Sequence, residues 1–465
     1  MPAEGRAEST VRDPATGGEI ARVPQATAED VDRAVTAAHE RYREGVWRRA
    51  PVRERRDVLR RIADLVRRDL ESLAVTESRN AGKPIGAARG EIGAVAAAFD
   101  YYAGAVDKFG GRTIPSQAKG TLMTFREPIG VCAAITPWNF PMAILSWKVA
   151  PALAMGNSVV VKPAELTPLT ALALAALATE AGLPPGVLNV VPGKGSHAGE
   201  TLINHPLVRK ISFTGSTEVG THVMECAARG IKRVSLELGG KSASLVFADA
   251  NLDVCVESSI FAVYDNAGQD CCARSRIFVQ QPIFADFVDR FAARAKTLRL
   301  GPTADEATEM GPLITPEHRD KVEAYIEAGD SEGATRVCGG ERPGGPGNYM
   351  TPAVYTGVRP EMRIVQEEIF GPVVCIMPFD SEDDAVRLAN DTIYGLSGSI
   401  WTRDVARALR VARAVETGVL SINSSSSVHI EGAFGGVKQS GIGREHGIAA
   451  LEGYSEQKAV FIADD

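Results

Sequence analysis

The segment Asn266-Ala267-Gly268-Gln269-Asp270-Cys271-Cys272 sets a thiol in a polar, glycine-containing stretch downstream of Glu237-Leu238-Gly239-Gly240-Lys241-Ser242. A thiol and a carboxylate, each beside a glycine turn, can act as nucleophile and general base. The thiolate is the attacking form of cysteine, and glycine lets backbone approach a substrate closely. Buried cysteine is also commonly a small inert hydrophobe, so the local sequence leaves both readings open.

Four further stretches could serve the same chemistry. In Trp138-Asn139-Phe140-Pro141 a primary amide sits in an aromatic turn, where it can donate to an oxyanion or simply shape the turn. Val160-Val161-Lys162-Pro163-Ala164-Glu165 ends an apolar run with a cation and a carboxylate, suited to ribose hydroxyls or to a solvated loop. Phe213-Thr214-Gly215-Ser216-Thr217-Glu218-Val219-Gly220 follows an expected strand and opens an expected helix, where backbone N–H groups can meet a phosphate. Its spacing is not that of the usual dinucleotide fingerprint, and an ordinary strand-to-helix connection would read the same way. Glu367-Glu368-Ile369-Phe370-Gly371-Pro372 sets two carboxylates ahead of a tight turn, or marks a strand-loop junction.

Holding such groups together takes a sizeable framework. With 465 residues, 45% of them apolar, the chain can bury more than one core, so two or three domains are expected. A net charge of -7 without a long basic run argues against nucleic-acid binding. The Arg-rich stretch from Arg53 to Arg68 carries Val58, Leu59, Ile62, Leu65 and Val66 at helical spacing and reads as a solvated helix face. Seven cysteines show neither metal-ligand spacing nor a disulfide framework, so no metal is expected. No signal sequence and no apolar run of about 18 to 20 residues is present, and a cytoplasmic protein without membrane attachment is expected.

Apolar residues from Thr27 to Val106 fall mostly at i, i+3, i+4 intervals, which predicts helices, with Thr27 and Asp30 as N-cap chemistry. From Val131 onward short apolar runs alternate with Ala- and Leu-rich stretches. Ser158 to Lys162, Val187 to Val191 and Lys210 to Phe213 read as buried strands, and Leu169 to Ala181 as a helix. Such alternation predicts a parallel sheet with a ligand at the carboxyl ends of its strands. A second α/β region begins near Ala243 and includes Ser244 to Phe247, Ile277 to Val279, Val373 to Pro378 and Gly418 to Ile422. Thr121 to Phe125 reads as a strand outside either sheet with Lys458 to Ile462 as its partner, and Gly339 to Asn348 as a surface loop.

Taken together and in this order, the motifs resemble the aldehyde dehydrogenase superfamily over nearly the whole chain. The resemblance implies an α/β fold with a Rossmann-type cofactor domain, an α/β catalytic domain and a small β oligomerisation extension. It places an NAD-binding domain in residues 1–108 and 128–238, a catalytic domain in 239–440, and oligomerisation strands with the C-terminal segment in 109–127 and 441–465. By the same resemblance Cys271 is the nucleophile, Glu237 the base that activates the hydrolytic water, Asn139 the oxyanion donor, and Lys148 a support for that asparagine. Ile135, Thr136, Pro137, Trp138, Phe213, Gly215, Ser216, Leu238 and Gly239 are implied to flank NAD. Lys162 and Glu165 are implied to hold its adenosine ribose, and Glu368 with Phe370 its nicotinamide end. The implied reaction oxidises an aldehyde to a carboxylate through a thiohemiacetal and a thioester. Glu237 favours hydrolysis of that thioester over acyl transfer to coenzyme A, and Glu165 favours NAD over NADP by repelling a 2′-phosphate.

For the substrate, the resemblance implies a tunnel lined by Phe140, Ile144, Trp147, Asp270, Ser425, Val428 and Phe434. The serines at 424 to 427 suggest a wide or polar pocket. Asp270 next to the thiol, Asp107 deeper along the tunnel, and a similarity of the Asn-Ala-Gly-Gln-Asp-Cys wording to aminobutyraldehyde- and betaine-aldehyde-type members point to a cationic ω-aminoaldehyde. Asp270 setting only loop structure is the other reading, with aliphatic, aromatic or semialdehyde substrates as alternatives. Cys272 is expected to pack. A catalytically silent binding protein is the alternative outside enzymology. The stretch Val11 to Gly17 matches a family segment usually preceded by a short strand pair, and a homodimer or homotetramer is expected from the protruding strands.

Overall fold

Helical spacing of apolar residues produces four successive helices, Ala28–Glu44, Val52–Arg68, Leu70–Ala81 and Ile85–Ala105, in the computed structural model, which describes residues 7–464. Thr27 opens the first with a reciprocal cap: its Oγ1 accepts from the Asp30 N–H at 3.2 Å and the Asp30 carboxylate accepts from the Thr27 N–H at 3.0 Å. In Val52–Arg68 the residues Val58, Leu59, Ile62 and Val66 are buried. Burial of each is worth about 1.5 to 3 kcal/mol, while the arginines between them stay solvated, so this is a packed amphipathic helix.

The first sheet has six strands. Val131–Ile135 lies between Val208–Thr214 and Ser158–Lys162, with Arg233–Glu237 and then Gly441–Ile442 on one side and Leu188–Val190 on the other. All neighbours run parallel except the antiparallel pair of Gly441–Ile442 with Arg233–Glu237. After Val131–Ile135 the chain adds strands outward on one side, then reverses to the other. The order of strands therefore switches beside Val131–Ile135, the place where a doubly wound sheet opens a crevice at its carboxyl ends. The loops that leave those ends carry Asn139, Gly215 and, at the end of Arg233–Glu237, Glu237 itself.

The second sheet runs in the order Thr335–Cys338, Ala353–Thr356, Val373–Phe379, Arg276–Gln280, Ala243–Val246, Gly398–Trp401, Ser421–Ile422. Cys271 and Glu368 lie just before the strands Arg276–Gln280 and Val373–Phe379, so the amino ends of this sheet face the carboxyl ends of the first across the site. Of the expected strand from Gly418 to Ile422, only Ser421–Ile422 joins the ladder. The Gly418 and Val419 N–H groups instead donate to the Gly395 and Leu396 carbonyls, each at 3.1 Å.

Gly120–Pro128 and Ser455–Ala463 pair antiparallel residue for residue, outside both large sheets, with Lys458 opposite Phe125. The stretch from Val11 to Gly17 runs into the turn of a strand pair, Glu8–Arg12 with Glu19–Pro24. Asp107 departs from expectation. It follows the end of Ile85–Ala105, is exposed and pairs with Lys108 at 2.7 Å, so its charge faces solvent and not a tunnel. No helix among the described residues is long and apolar enough to cross a membrane.

Candidate active site

The crevice contains a cavity of about 250 Å³ on which Asn139, Cys271, Glu368, Phe370, Trp138 and the Gly215-Ser216 turn converge. Pro137, Leu238 and Gly239 complete the sequence-predicted part of its wall, while Thr214, His318 and Lys321 line it without having been anticipated. His318 follows the N-cap Thr315 of Pro316–Ser331, hydrogen-bonds the Phe370 carbonyl at 2.7 Å and meets Trp138 edge-on at 5.4 Å between centroids. Nothing in the sequence signals it: a histidine in the first turn of a surface helix has no motif.

The thiol loop is built under strain. Asn266, Ala267 and Gly268 lie in succession at φ of 49°, 57° and 71°. Such conformations cost about 1 to 3 kcal/mol for a non-glycine residue and persist where surroundings over-determine them. A side chain on Gly268 would collide with the Gly371 carbonyl, so this glycine allows the thiol loop to touch the turn that carries Glu368 and Phe370. Cys271 is half-buried on the cavity. Cys272 is buried against Leu396 and Phe434, consistent with a packing role. The neighbouring Cys272 thiol, then burial, pushes the Cys271 thiol well above its usual pKa.

Glu237 is 3% exposed, and neither carboxylate oxygen has a hydrogen-bond partner among the described residues. Burial, with the negative charge of Glu445 second, raises its carboxyl well above the usual 4.5, against the opposing field of Lys148. Such a group is a protonatable base rather than a permanent anion. Gly435 passes close by: a Cβ there would sit 2.6 Å from the Glu237 Oε1. The Asn139 Nδ2 donates to the Gln269 carbonyl at 3.0 Å, which ties the amide to the thiol loop. An amide nitrogen carries two N–H bonds, so one remains for a ligand.

Lys148 has other partners than those expected. Its ammonium pairs with Glu445 and donates to the Ser212 Oγ at 3.2 Å. It lies within the helix Pro141–Ala154, which begins two residues after Asn139, and does not bond that amide. Glu445 was not anticipated. It stands in Gly443-Arg444-Glu445-His446, which no spacing connects to Glu237, and reaches the site because its backbone pairs with Phe434 through two 2.7 Å hydrogen bonds.

Glu368 accepts from the Gly240 N–H at 2.9 Å, and burial lifts its carboxyl to about 7. Ser216 caps Thr217–Arg229, its Oγ accepting from the Val219 N–H at 3.3 Å, and leaves the Gly215-Ser216 turn facing the cavity. Ile135, Thr136 and Phe213 are buried in or behind the strand ends and do not line the cavity. Lys162 and Glu165 also lie off it. Burial lowers the Lys162 ammonium to about 8 while it donates to the Pro163 carbonyl at 2.9 Å, and the Glu165 carboxylate accepts from the Ser9 Oγ at 2.8 Å and from Gln25 at 3.3 Å.

On the other side of the thiol, Trp147 and Phe434 meet edge-on at 5.7 Å and pack with Cys271, Cys272 and Leu396. His446 stands against Trp147 at 4.3 Å. Ile144 is buried and Phe140 partly buried on the same helix region, and Val428 is exposed. One Asp270 oxygen accepts from the Cys272 N–H at 2.9 Å, so the carboxylate is tied to its own loop, and burial raises its pKa. The serine run has an internal use. Arg274, buried, donates to the Cys272 carbonyl, to the Ser425 carbonyl at 3.1 Å and to the Ser427 Oγ at 2.9 Å, while the Ser425 Oγ bonds Ser258 at 2.7 Å. These serines therefore satisfy a buried guanidinium that links the 424–427 loop to the thiol loop.

A model of the aldehyde dehydrogenase family matches residues 1–460. Human retinal dehydrogenase 2 is 46% identical over 455 residues, covering 97% of this chain and 88% of that protein. Betaine aldehyde dehydrogenase of Bacillus subtilis is 44% identical over 448 residues, covering 95% and 91%. Among solved structures, a Staphylococcus aureus betaine aldehyde dehydrogenase in complex with NAD+ superposes with a TM-score of 0.97 at 39% identity, covering 99% of this chain and 92% of the other.

Proposed function

The chain belongs to the aldehyde dehydrogenase family, and from that membership we propose that it oxidises an aldehyde to a carboxylate with Cys271 as nucleophile, Asn139 as oxyanion donor and Glu237 as base for the hydrolytic water. It is an NAD-dependent aldehyde dehydrogenase. The observation that supports the roles of Cys271 and Asn139 is the cavity they share with Glu368 and the Gly215-Ser216 turn; Glu237 does not line it, but Leu238 and Gly239, which follow it, do.

The residues present suit NAD. A turn at the start of a helix offers N–H groups to a pyrophosphate, the adjoining wall is partly apolar with Phe370 and Trp138 edge-to-face at 5.3 Å, and Glu368 is a half-buried acceptor on the same wall. Lys162 and Glu165, at the next strand end, would take the adenosine ribose. When bound, NAD supplies the hydride acceptor. The protein's part begins with passage of the Cys271 proton to solvent water, since the raised pKa of this group favours the thiol. The sulfur then adds to the aldehyde carbon, and the charge that develops on oxygen is met by the free Asn139 N–H and by backbone N–H. After oxidation to the thioester, Glu237 takes a proton from water, whose oxygen attacks the acyl carbon and expels the Cys271 sulfur. Lys148 and Glu445, beside Glu237, set how readily that proton is taken up. The division of labour between residues 1–108 with 128–238 and residues 239–440 is part of this reading.

For substrate we favour a cationic ω-aminoaldehyde. Trp147, half-buried beside the thiol and next to Phe434 and His446, offers an aromatic surface to an ammonium group, worth about 0.5 to 2 kcal/mol. The relatives include a betaine aldehyde enzyme. The Trp147–Phe434–Leu396 wall favours a second reading, an apolar aldehyde. Initial rates with 4-aminobutyraldehyde, hexanal and succinate semialdehyde, followed by nicotinamide absorbance, separate them. The amino substrate should show the highest kcat/KM, hexanal in first place supports the apolar reading, and preference for the anionic semialdehyde would end both.

NAD should be preferred to NADP because Glu165 repels a 2′-phosphate. Glu165→Gln should narrow that preference about tenfold, the equivalent of roughly 1.4 kcal/mol. An unchanged ratio would remove Glu165 from the explanation. We place the protein in the cytoplasm, where its seven cysteines, none in a disulfide among the described residues, stay reduced. The strand Ser455–Ala463 lies at the edge of its sheet and exposes Phe461 and Ile462, which suits pairing with a second copy. Light scattering at micromolar concentration should report a dimer or tetramer, and a monomer would contradict the assembly.

A further inference from the structure

Beneath the Asn139 turn lies a buried charge cluster that the reaction scheme does not use. Lys83 is 2% exposed, Glu77 is fully buried and Glu91 nearly so. None of them lines the cavity. Buried charges are costly unless paired, and replacing such a pair by apolar groups is often neutral for stability, so their presence asks for a geometric reason. The Lys83 ammonium pairs with Glu91, lies 4.4 Å from the centre of the Phe140 ring and donates to the Asn139 carbonyl oxygen at 2.9 Å. That same oxygen accepts from the Asn266 Nδ2 at 2.9 Å. The Asn139 backbone is thus held from one side by the helical layer and from the other by the thiol loop.

The two carboxylates anchor the helix Pro141–Ala154, which has no side-chain cap of its own because Phe140 stands at its N-cap. Its first N–H groups need acceptors from elsewhere. Glu77 accepts from the Met142 N–H at 3.0 Å and from the Thr170 Oγ1 at 2.7 Å, and Glu91 accepts from the Ala143 N–H at 3.4 Å. Both residues come from the preceding helices Leu70–Ala81 and Ile85–Ala105. The cluster therefore sets the position of the Asn139 carbonyl and the start of the next helix together, which leaves the Asn139 side chain little freedom in its direction. We infer that Lys83, held by Glu91 and assisted by Glu77, is the positioning residue for the Asn139 amide at the oxyanion site opposite Cys271. This rests on the reading of Asn139 as the oxyanion donor.

A double-mutant cycle between Lys83→Met and Asn139→Ala tests it, with kcat for aldehyde oxidation, the dissociation constant for NADH and the thermal midpoint measured on each protein. Asn139→Ala should lower kcat about 10²- to 10³-fold. Lys83→Met should lower it roughly 10- to 100-fold, as a displaced catalytic group does, with NADH binding unchanged, and should add nothing in the Asn139→Ala background. Because Lys83→Met leaves Glu91 charged and alone, Lys83→Met/Glu91→Leu is run beside it. That protein should keep the loss in kcat with a thermal midpoint near that of the parent. Additive losses in the cycle, or full kcat in Lys83→Met/Glu91→Leu, would overturn the positioning role while leaving Asn139 as oxyanion donor. An Asn139→Ala protein with parental kcat would overturn the oxyanion reading and the inference together.

Discussion

Cys271→Ala is expected to abolish aldehyde oxidation, lowering kcat by at least roughly 10⁴-fold as loss of a catalytic nucleophile does, with little change in thermal midpoint. Cys272→Ala should keep turnover. The contrast follows from placement: Cys271 is half-buried and lines the cavity, while Cys272 is 5% exposed, does not line it and packs with Leu396 and Phe434. Steady-state rates of the two variants check it, and the reverse pattern would move the nucleophile to Cys272. The same pair carries a second, sharper signature. The adjacent Cys272 thiol is the largest cause holding the Cys271 thiol above its usual pKa. Removing that partner should lower the pKa, so alkylation by iodoacetamide at neutral pH should be faster in Cys272→Ala than in the parent. An unchanged alkylation rate would show that burial, the next cause, dominates.

Glu237→Gln is the second large effect. Turnover should fall about 10²- to 10⁴-fold, the range for loss of a general base, while the first turnover still yields reduced nicotinamide, because thiol addition and oxidation do not need the hydrolytic water. A burst without steady turnover in stopped flow is the expected record, and equal loss of burst and steady rate would place Glu237 earlier in the reaction. The parent's deacylation rate should rise with pH as the raised Glu237 carboxyl loses its proton, and the Gln variant should lack that rise. Stability should move the other way. A carboxyl whose pKa in the folded protein is above its unfolded value binds its proton more tightly when folded. Its contribution is fully present below the usual carboxylate pKa and is lost as pH rises through the raised value. Denaturation midpoints of parent and Glu237→Gln should therefore diverge upward from the ordinary carboxylate range, with the variant the more stable at alkaline pH. This is the expected cost of keeping an unpaired carboxyl in a buried site for catalysis.

Before folding, the legible part of the site was whatever is written in adjacent residues. Trp138-Asn139, Gly215-Ser216, Glu237-Leu238-Gly239, Cys271 and Glu368 each stand at a strand end or beside a glycine turn; apolar periodicity marked Thr27 to Val106 as mainly helical and located the strands near Ser158, Lys210, Ile277 and Val373 to within a few residues, while the strands Val131–Ile135 and Arg233–Glu237 were not delimited. Arg274, Glu445 and His318 escaped because none is part of a local pattern. Each takes its meaning from a partner far along the chain: Arg274 from the carbonyl of Ser425, Glu445 from Lys148, and His318 from the carbonyl of Phe370. Asp107 was misread for the complementary reason. Its helix ends at Ala105, and which way the next carboxylate points depends on solvent and on Lys108 rather than on residue type.

By itself, then, the amino-acid sequence determined which residues are candidates for the chemistry, the alternation of strands and helices and the resemblance that names the family, since these depend on residue type and short-range spacing. Only the tertiary structure decided which of the two cysteines faces a cavity, that Lys148 answers to Glu445, that Asp270 is tied to its own loop, and that Lys83 and Glu91 grip the Asn139 turn. Burial and pairing across long stretches of chain arise when two sheets close on one another, and the cost of an unpaired buried charge then selects the partner.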